Sequence, residues 1–173
     1  MAMYFAKREG RNTFQFFTEA MNAAALKRMT MEVHLRRALE LGELSLHYQP
    51  QIDVGSGLVA GAEALLRWDC AALGSITPTE LIPLAEETGL ILPIGEWVLR
   101  TACHQAKAWR DAGAILPRVA VNVSVRQFTQ VDFPDLVARI LDEVGLEPDA
   151  LEIEITESLL MKDGDAALET MRA

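Results

Sequence analysis

Val59-Ala-Gly-Ala-Glu63-Ala-Leu65-Leu-Arg67-Trp68 is the stretch on which the reading of the fold turns. A β-strand sends alternate side chains to opposite faces. Ala62, Ala64, Leu66 and Trp68 therefore share one face, and Glu63, Leu65 and Arg67 the other. Two later runs follow the same rule. In Val119-Ala-Val-Asn122-Val-Ser-Val-Arg126, four valines oppose Ala120, Asn122, Ser124 and Arg126; in Leu151-Glu-Ile-Glu154-Ile-Thr-Glu157, Leu151, Ile153 and Ile155 oppose Glu152, Glu154 and Thr156. Each run has an apolar face and a face carrying acid, amide or hydroxyl groups. Polar groups on the inside of a sheet are costly unless paired with each other, a metal or a ligand. Glu63, Asn122 and Glu154 are thus expected to converge on a metal.

The segments between these runs read as helices and turns. From about Thr18 to Leu41, Met31, Leu35, Ala38 and Leu39 recur at helical spacing, with Gly42 as a stop. This helix is either a rigid linker or the first helix of the domain. Leu44–Asp53 reads as a strand whose short Gly55-Ser-Gly57 connection favours an antiparallel hairpin with the Glu63 strand. Thr77-Pro-Thr-Glu80 opens a helix through a capping box and Gly89 ends it. A second helix runs from Pro93, with Gly113 beyond its end, and places Trp97 and Trp109 in the core and His104 on a helix surface or in packing. A third, begun by Asp132 and Pro134, stops at Gly145, and another begins near Asp163. Strands alternating with helices imply a parallel sheet with crossovers. If the sheet closes it is a (β/α)-barrel, whose catalytic groups sit at the C-terminal ends of its strands. Glu63, Asn122 and Glu154 each lie at or near the middle of their runs, on the side that rule would make catalytic if the strands end soon after them. A closed barrel takes about 250 residues; with 173 residues the alternatives are half of a barrel, about four strands, or a smaller open sheet.

Charge and composition bound the function. The net charge of −9 is uneven: residues 1–37 hold seven Lys/Arg against three acids, the rest nine against twenty-two, which suggests a boundary near residues 25–40. The acidic body argues against a nucleic-acid polymer as partner, because such binding neutralises phosphates with a basic face. A phosphodiester ligand would need a divalent cation to offset the repulsion. No apolar run is long enough to span a membrane and no signal peptide is visible, so no membrane contact is expected of this segment. Cys70 and Cys103 have no CxxC spacing, and His34, His47 and His104 form no zinc pattern. A reducing, cytoplasmic setting with two buried, inert thiols is the expectation.

Glu63-Ala-Leu-Leu-Arg-Trp68 resembles the signature of EAL domains, the cyclic-di-GMP phosphodiesterases. Tyr48-Gln49-Pro50, Pro83-Leu-Ala-Glu86, Gly95-Glu-Trp97, Asn122-Val-Ser124 with Gln127, and Glu154-Ile-Thr-Glu157 match in family order over about residues 30–165. The start, Ala2-Met-Tyr-Phe-Ala-Lys7 with Gly10-Arg-Asn12, resembles the closing segment of GGDEF domains, the diguanylate cyclases. The expected organisation is a GGDEF remnant over 1–20, a linker or first helix over 21–42, and the N-terminal half of an EAL domain over 43–173. The fold implied is α/β, a TIM-like barrel with its first strand antiparallel.

The resemblance implies that Glu63, Asn122 and Glu154 are metal ligands, with Glu63 and Glu154 catalytic. Mg²⁺ or Mn²⁺ suits such oxygen donors, and Ca²⁺ is expected to inhibit. Arg67 matches a ligand-contacting arginine; Gln49 and Leu65 border the dinucleotide. Glu157 matches a glutamate that steadies a loop near the metals and the dimer surface, so a homo-oligomer is expected. The implied reaction opens one phosphodiester bond of cyclic-di-GMP to give linear pGpG. The alternative is a non-catalytic cyclic-di-GMP-binding regulatory module. The family's Asp-Asp-Phe-Gly-Thr-Gly loop and downstream lysine do not occur within these 173 residues, so the chain by itself is expected to be inactive, to bind metal weakly and to self-associate. Two blander readings stand beside these: Glu63 and Arg67 as a structural ion pair, and Glu152 as structural or surface-facing.

Overall fold

The computed structural model describes residues 19–114 and 118–155. At its centre is the Glu63 strand, here β2 (Val59–Cys70). Strand β1 (Leu44–Ile52) pairs with it antiparallel, from Leu44 opposite Trp68 to Gln51 opposite Gly61, before the register slips at Ile52. The hairpin turn is closed by Asp53, whose Oδ1 accepts from the Ser56 amide at 2.7 Å and its hydroxyl at 2.6 Å. Gly57 supplies the φ of +72° that lets the chain re-enter β2. The antiparallel first strand expected from the short connection is present.

The other pairings follow from crossovers. After a three-residue strand β3 (Gly74–Ile76), antiparallel to the end of β2, the chain passes through helices α2 (Pro78–Thr88) and α3 (Ile91–Asp111). It returns as β4 (Val119–Val123), parallel to β2. A short helix α4 (Val125–Phe128), helix α5 (Phe133–Val144) and a 3-10 turn (Pro148–Ala150) lead to β5 (Leu151–Ile155), parallel to β4. The described sheet has the order β1-β2-β4-β5, with β3 beside β2. That is one more strand than the sequence led us to expect. Three residues carry too little periodicity to register, and β3 depends on Gly74 adopting a φ of +77°.

One face of the sheet is the core. Ala62, Ala64, Trp68, Val119, Val121 and Val123 are buried there under α2 and α3, with Leu81, Leu84, Ile94, Val98 and Leu99 packed among them. Trp68 is wholly buried. Its indole Nε1 donates at 3.1 Å to Glu43 Oε2, and the other oxygen of Glu43 accepts from the Ala71 amide at 3.0 Å. Those two bonds, the Ala71 amide first, hold the Glu43 carboxyl below the ordinary carboxylate range. The helix preceding β1, α1 (Glu19–Ala38), inserts Met31, Leu35 and Ala38 into the same core and is tied to α2 by Lys27–Glu80 and Arg28–Glu87 ion pairs. Trp97 and Trp109 are half-buried at the margins of this core rather than central to it; Trp109 meets Tyr48 edge to face at 4.8 Å. His104 is exposed, and both thiols are buried.

Two local expectations are corrected. The Val119 run was expected to continue as a strand to Arg126, but it leaves the sheet at Val123. Ser124 instead caps α4: its hydroxyl accepts from the Gln127 amide at 3.3 Å, while Gln127 Oε1 accepts from the Ser124 amide at 3.2 Å. This reciprocal capping box satisfies donors that a strand would have sent to a neighbour. The second correction concerns Thr77, which sits at the N-cap of α2 without a side-chain bond to the helix backbone. Its hydroxyl faces Thr79 Oγ1 at 3.0 Å and Glu80 Oε2 at 3.5 Å, because Glu80 is drawn outward to Lys27 of α1.

Candidate metal and phosphodiester site

The opposite face of the sheet is polar, as strand parity requires. Asn122 of β4 lies directly opposite Glu154 of β5 in the parallel register, and Glu63 of β2 lies opposite Ala120 of β4 and Gln49 of β1. The side chains converge. Asn122 Nδ2 donates to Glu63 Oε1 at 2.6 Å. Glu154 feels Glu63 as a repelling charge: burial first, and Glu63 second, push its carboxyl above the ordinary carboxylate range. The three residues read from the sequence as one cluster are therefore brought together, Asn122 and Glu154 at the fourth of five positions in β4 and β5 and Glu63 at the fifth of twelve in β2.

The set fits a hard divalent cation on its own chemistry. Two carboxylates and an amide offer only oxygen to a metal once the Asn122 amide turns its Oδ1 inward. The proximity of Glu63 and Glu154 is a repulsion that a cation would relieve. Oxygen donors of this type suit Mg²⁺ or Mn²⁺. Among the described residues no three His, Cys, Asp or Glu side chains are placed to share a metal; in this set the third donor is an amide.

Arg67 and Leu65 lie beyond Glu63 on the same strand face and, with Asn122, Ser124 and Gln127, line a cavity of about 310 Å³ that reaches α2 and α3. Arg67 Nη1 donates to the Leu66 carbonyl at 2.9 Å, so among the described residues the Glu63–Arg67 ion pair does not form and Glu63 turns to Asn122 instead. Glu152, with the same parity as Glu154, pairs with Arg118 at 3.1 Å, both side chains part-exposed. Glu157 lies outside the described residues.

One site residue was missed by the sequence reading. Gln51 extends its Nε2 to Glu154 Oε1 at 3.4 Å, although its strand, β1, is separated from β5 by β2 and β4. Three strand spacings of a flat sheet amount to about 14 Å, and side chains standing off such a sheet would stay apart. The contact therefore reports a sheet curled toward its polar face, as in the wall of a barrel. Gln51 shares the parity of Gln49, and that was the only sequence signal for it.

A curled, mixed sheet with an acid–amide–acid set on its concave face defines a barrel-type α/β domain whose polar face offers oxygen donors. The EAL domain family matches residues 32–173, and the chain belongs to that family. It is 47% identical over 167 residues to the bifunctional diguanylate cyclase/cyclic di-GMP phosphodiesterase MucR of Pseudomonas aeruginosa, covering 96% of this chain and 24% of that protein. It is 40% identical over 171 residues to the cyclic di-GMP phosphodiesterase PdeR of Escherichia coli, covering 99% of this chain and 26% of that protein. The chain thus spans about a quarter of the length of these curated relatives. Among solved structures, the MucR phosphodiesterase of Pseudomonas aeruginosa in complex with c-di-GMP superposes with a TM-score of 0.78 at 46% identity, over 82% of this chain and 58% of that one. The EAL enzyme Bd1971 bound to cAMP and cyclic-di-GMP gives 0.77 at 26% identity, over 86% and 42%. The α/β, TIM-like barrel architecture of the EAL type is the fold of this chain, which holds part of the barrel.

Proposed function

We propose that the chain contributes to a cyclic-di-GMP phosphodiesterase that opens one phosphodiester bond of the ring to give linear pGpG. The observation that carries this reading is the convergence of Glu63, Asn122 and Glu154 on one concave face beside Arg67. In this assignment Glu63, Asn122 and Glu154 hold Mg²⁺ or Mn²⁺. Such a cation supplies charge neutralisation at the phosphate and activation of the attacking water, with Glu63 and Glu154 the catalytic carboxylates. Water adds to phosphorus, the bond to the 3′ oxygen breaks, and one water is consumed. The cation also answers the charge problem, since a net −9 chain does not attract a dianionic dinucleotide unaided.

Arg67 reaches the ligand from the cavity wall, where a planar guanidinium suits a phosphate or a guanine edge. Leu65 and Gln49 flank Glu63 along and across the strands and border the dinucleotide. Glu157 steadies a loop near the metals and the dimer surface, and the protein acts as a cytoplasmic homo-oligomer. Residues 1–20 close a GGDEF domain, residues 21–42 form a connecting helix, and residues 43–173 are the first half of the EAL domain; the likeness to MucR, bifunctional by name, supports this order. Ca²⁺, which accepts more ligands at longer distances, is expected to occupy the site and block turnover.

The test is isothermal titration with cyclic-di-GMP in Ca²⁺ and then Mn²⁺, with pGpG followed by chromatography. Metal-dependent binding that Glu63→Gln abolishes supports the assignment. Binding unaffected by metal and by Glu63→Gln would overturn it. Binding without turnover would assign this chain the recognition half of the task.

A further inference from the structure

We propose that Gln51 is a positioning residue for Glu154: its amide crosses the concave face, holds Oε1 of that carboxylate, and leaves Oε2 free for the cation. The inference rests on the metal reading above and adds to it a residue that composes no part of the Glu63, Asn122 and Glu154 set.

Two independent observations support it. The first is the long hydrogen bond from Gln51 Nε2 to Glu154 Oε1 at 3.4 Å, made between non-adjacent strands. The second is the space kept for the Gln51 side chain. Its register partner is Gly61, and a Cβ on Gly61 would stand 3.0 Å from Gln51 Oε1, 3.0 Å from the Arg118 carbonyl and 3.1 Å from Arg118 Cγ. Contacts that tight require the neighbours to move, and one of them is backbone. Gly61 has no positive φ to explain it, so its role is to clear the floor over which Gln51 reaches.

The charges explain why a neutral donor serves here. Glu154 already feels Glu63 as a repelling charge, and Arg118, beside Gly61, is engaged by Glu152. A lysine or arginine in place of Gln51 would neutralise Glu154 and compete with a metal; an acid would add to the repulsion. An amide orients the carboxylate without altering the charge of the site. Partners of this kind, hydrogen-bonded to a ligand rather than to the metal, typically change metal affinity by about 10–100-fold when removed. The 3.4 Å length places Gln51 at the weak end of that range.

The test is Mn²⁺ binding to the full chain, by isothermal titration and by the loss of the free-ion electron paramagnetic resonance signal, without substrate. Gln51→Met keeps the side-chain length and removes the donor, and is expected to weaken Mn²⁺ binding about tenfold with unchanged circular dichroism. Gln51→Asn, too short to reach, should do the same and serves as the deciding variant if the methionine form does not fold. In a Glu154→Gln background Gln51→Met should have no further effect, whereas a general structural loss would add to it. Wild-type affinity in both Gln51 variants, beside weakened binding in Glu154→Gln, would overturn the role of Gln51 alone. No Mn²⁺ binding by the wild type, or binding indifferent to Glu154→Gln, would overturn the metal reading and this inference with it.

Discussion

The two faces of one sheet follow opposite rules. On the convex face, Trp68, Val119 and Val121 are dry and close-packed, and the single indole donor meets a carboxylate placed for it. On the concave face, two carboxylates and two amides gather within a few strands, and Glu154 is held above the ordinary carboxylate range by burial and by Glu63. The first face lowers the free energy of folding; the second accepts repulsion that only a ligand relieves. Alternation along a strand lets both coexist, because a residue's neighbours in sequence belong to the other face.

Substitutions that strike one face and spare the other sharpen this contrast. The largest effect is expected on the concave face: Glu63→Gln should reduce Mn²⁺ binding, and any turnover of cyclic-di-GMP, by at least about 100-fold. The midpoint of urea unfolding without metal should not fall. A large loss of stability would show that Glu63 serves the fold instead. Next comes the convex face, where Trp68→Ala should cost about 3–5 kcal/mol of stability, since it opens a cavity and strands Glu43. Chemical denaturation measures this, and a cost below about 1 kcal/mol would contradict the packing described.

Smaller again is Gly95→Ala in α3. A Cβ there would fall 1.6 Å from Gln127 Nε2, so the Gln127 side chain must leave its place in the capping box. Overpacking of about 1–3 kcal/mol is expected, read as a lowered melting temperature; an unchanged one would mean the helix shifts freely. The smallest is a pH effect. The folded state depresses the carboxyl of Glu43 below its ordinary value of 4.5 through the Ala71 amide and the Trp68 indole. That stability is present above the ordinary value and lost as pH falls through the depressed one. Glu43→Gln should therefore flatten the acid limb of the stability profile below about pH 4.5. An acid limb identical to that of the wild type would assign the loss to other groups.

Much of this is legible in the amino-acid sequence. The parity of Glu63, Asn122 and Glu154 put them on one face, the two-glycine connection gave the antiparallel hairpin, and Pro78, Gly89 and Gly145 marked helix ends at the observed places. What escaped has physical reasons. Ser124 and Gln127 carried a legible capping signature, but four alternating valines masked it, since a strand and a short helix share that apolar content. At Thr77 the box pattern was present, yet a lysine from a distant helix took the glutamate it needs. Local propensity yields where a tertiary partner offers a stronger bond.

The amino-acid sequence alone determined the four longer strands, the alternation of their two faces and the common face of Glu63, Asn122 and Glu154. These depend on a two-residue period that no neighbour alters. Only the tertiary structure decided that Asn122 would turn its amide to Glu63, that Arg67 would turn away from it, and that Gln51 would meet Glu154 across two intervening strands. Those contacts depend on the curl and stagger of a sheet built from distant segments, and no spacing along the chain encodes the distance between strands that are not neighbours.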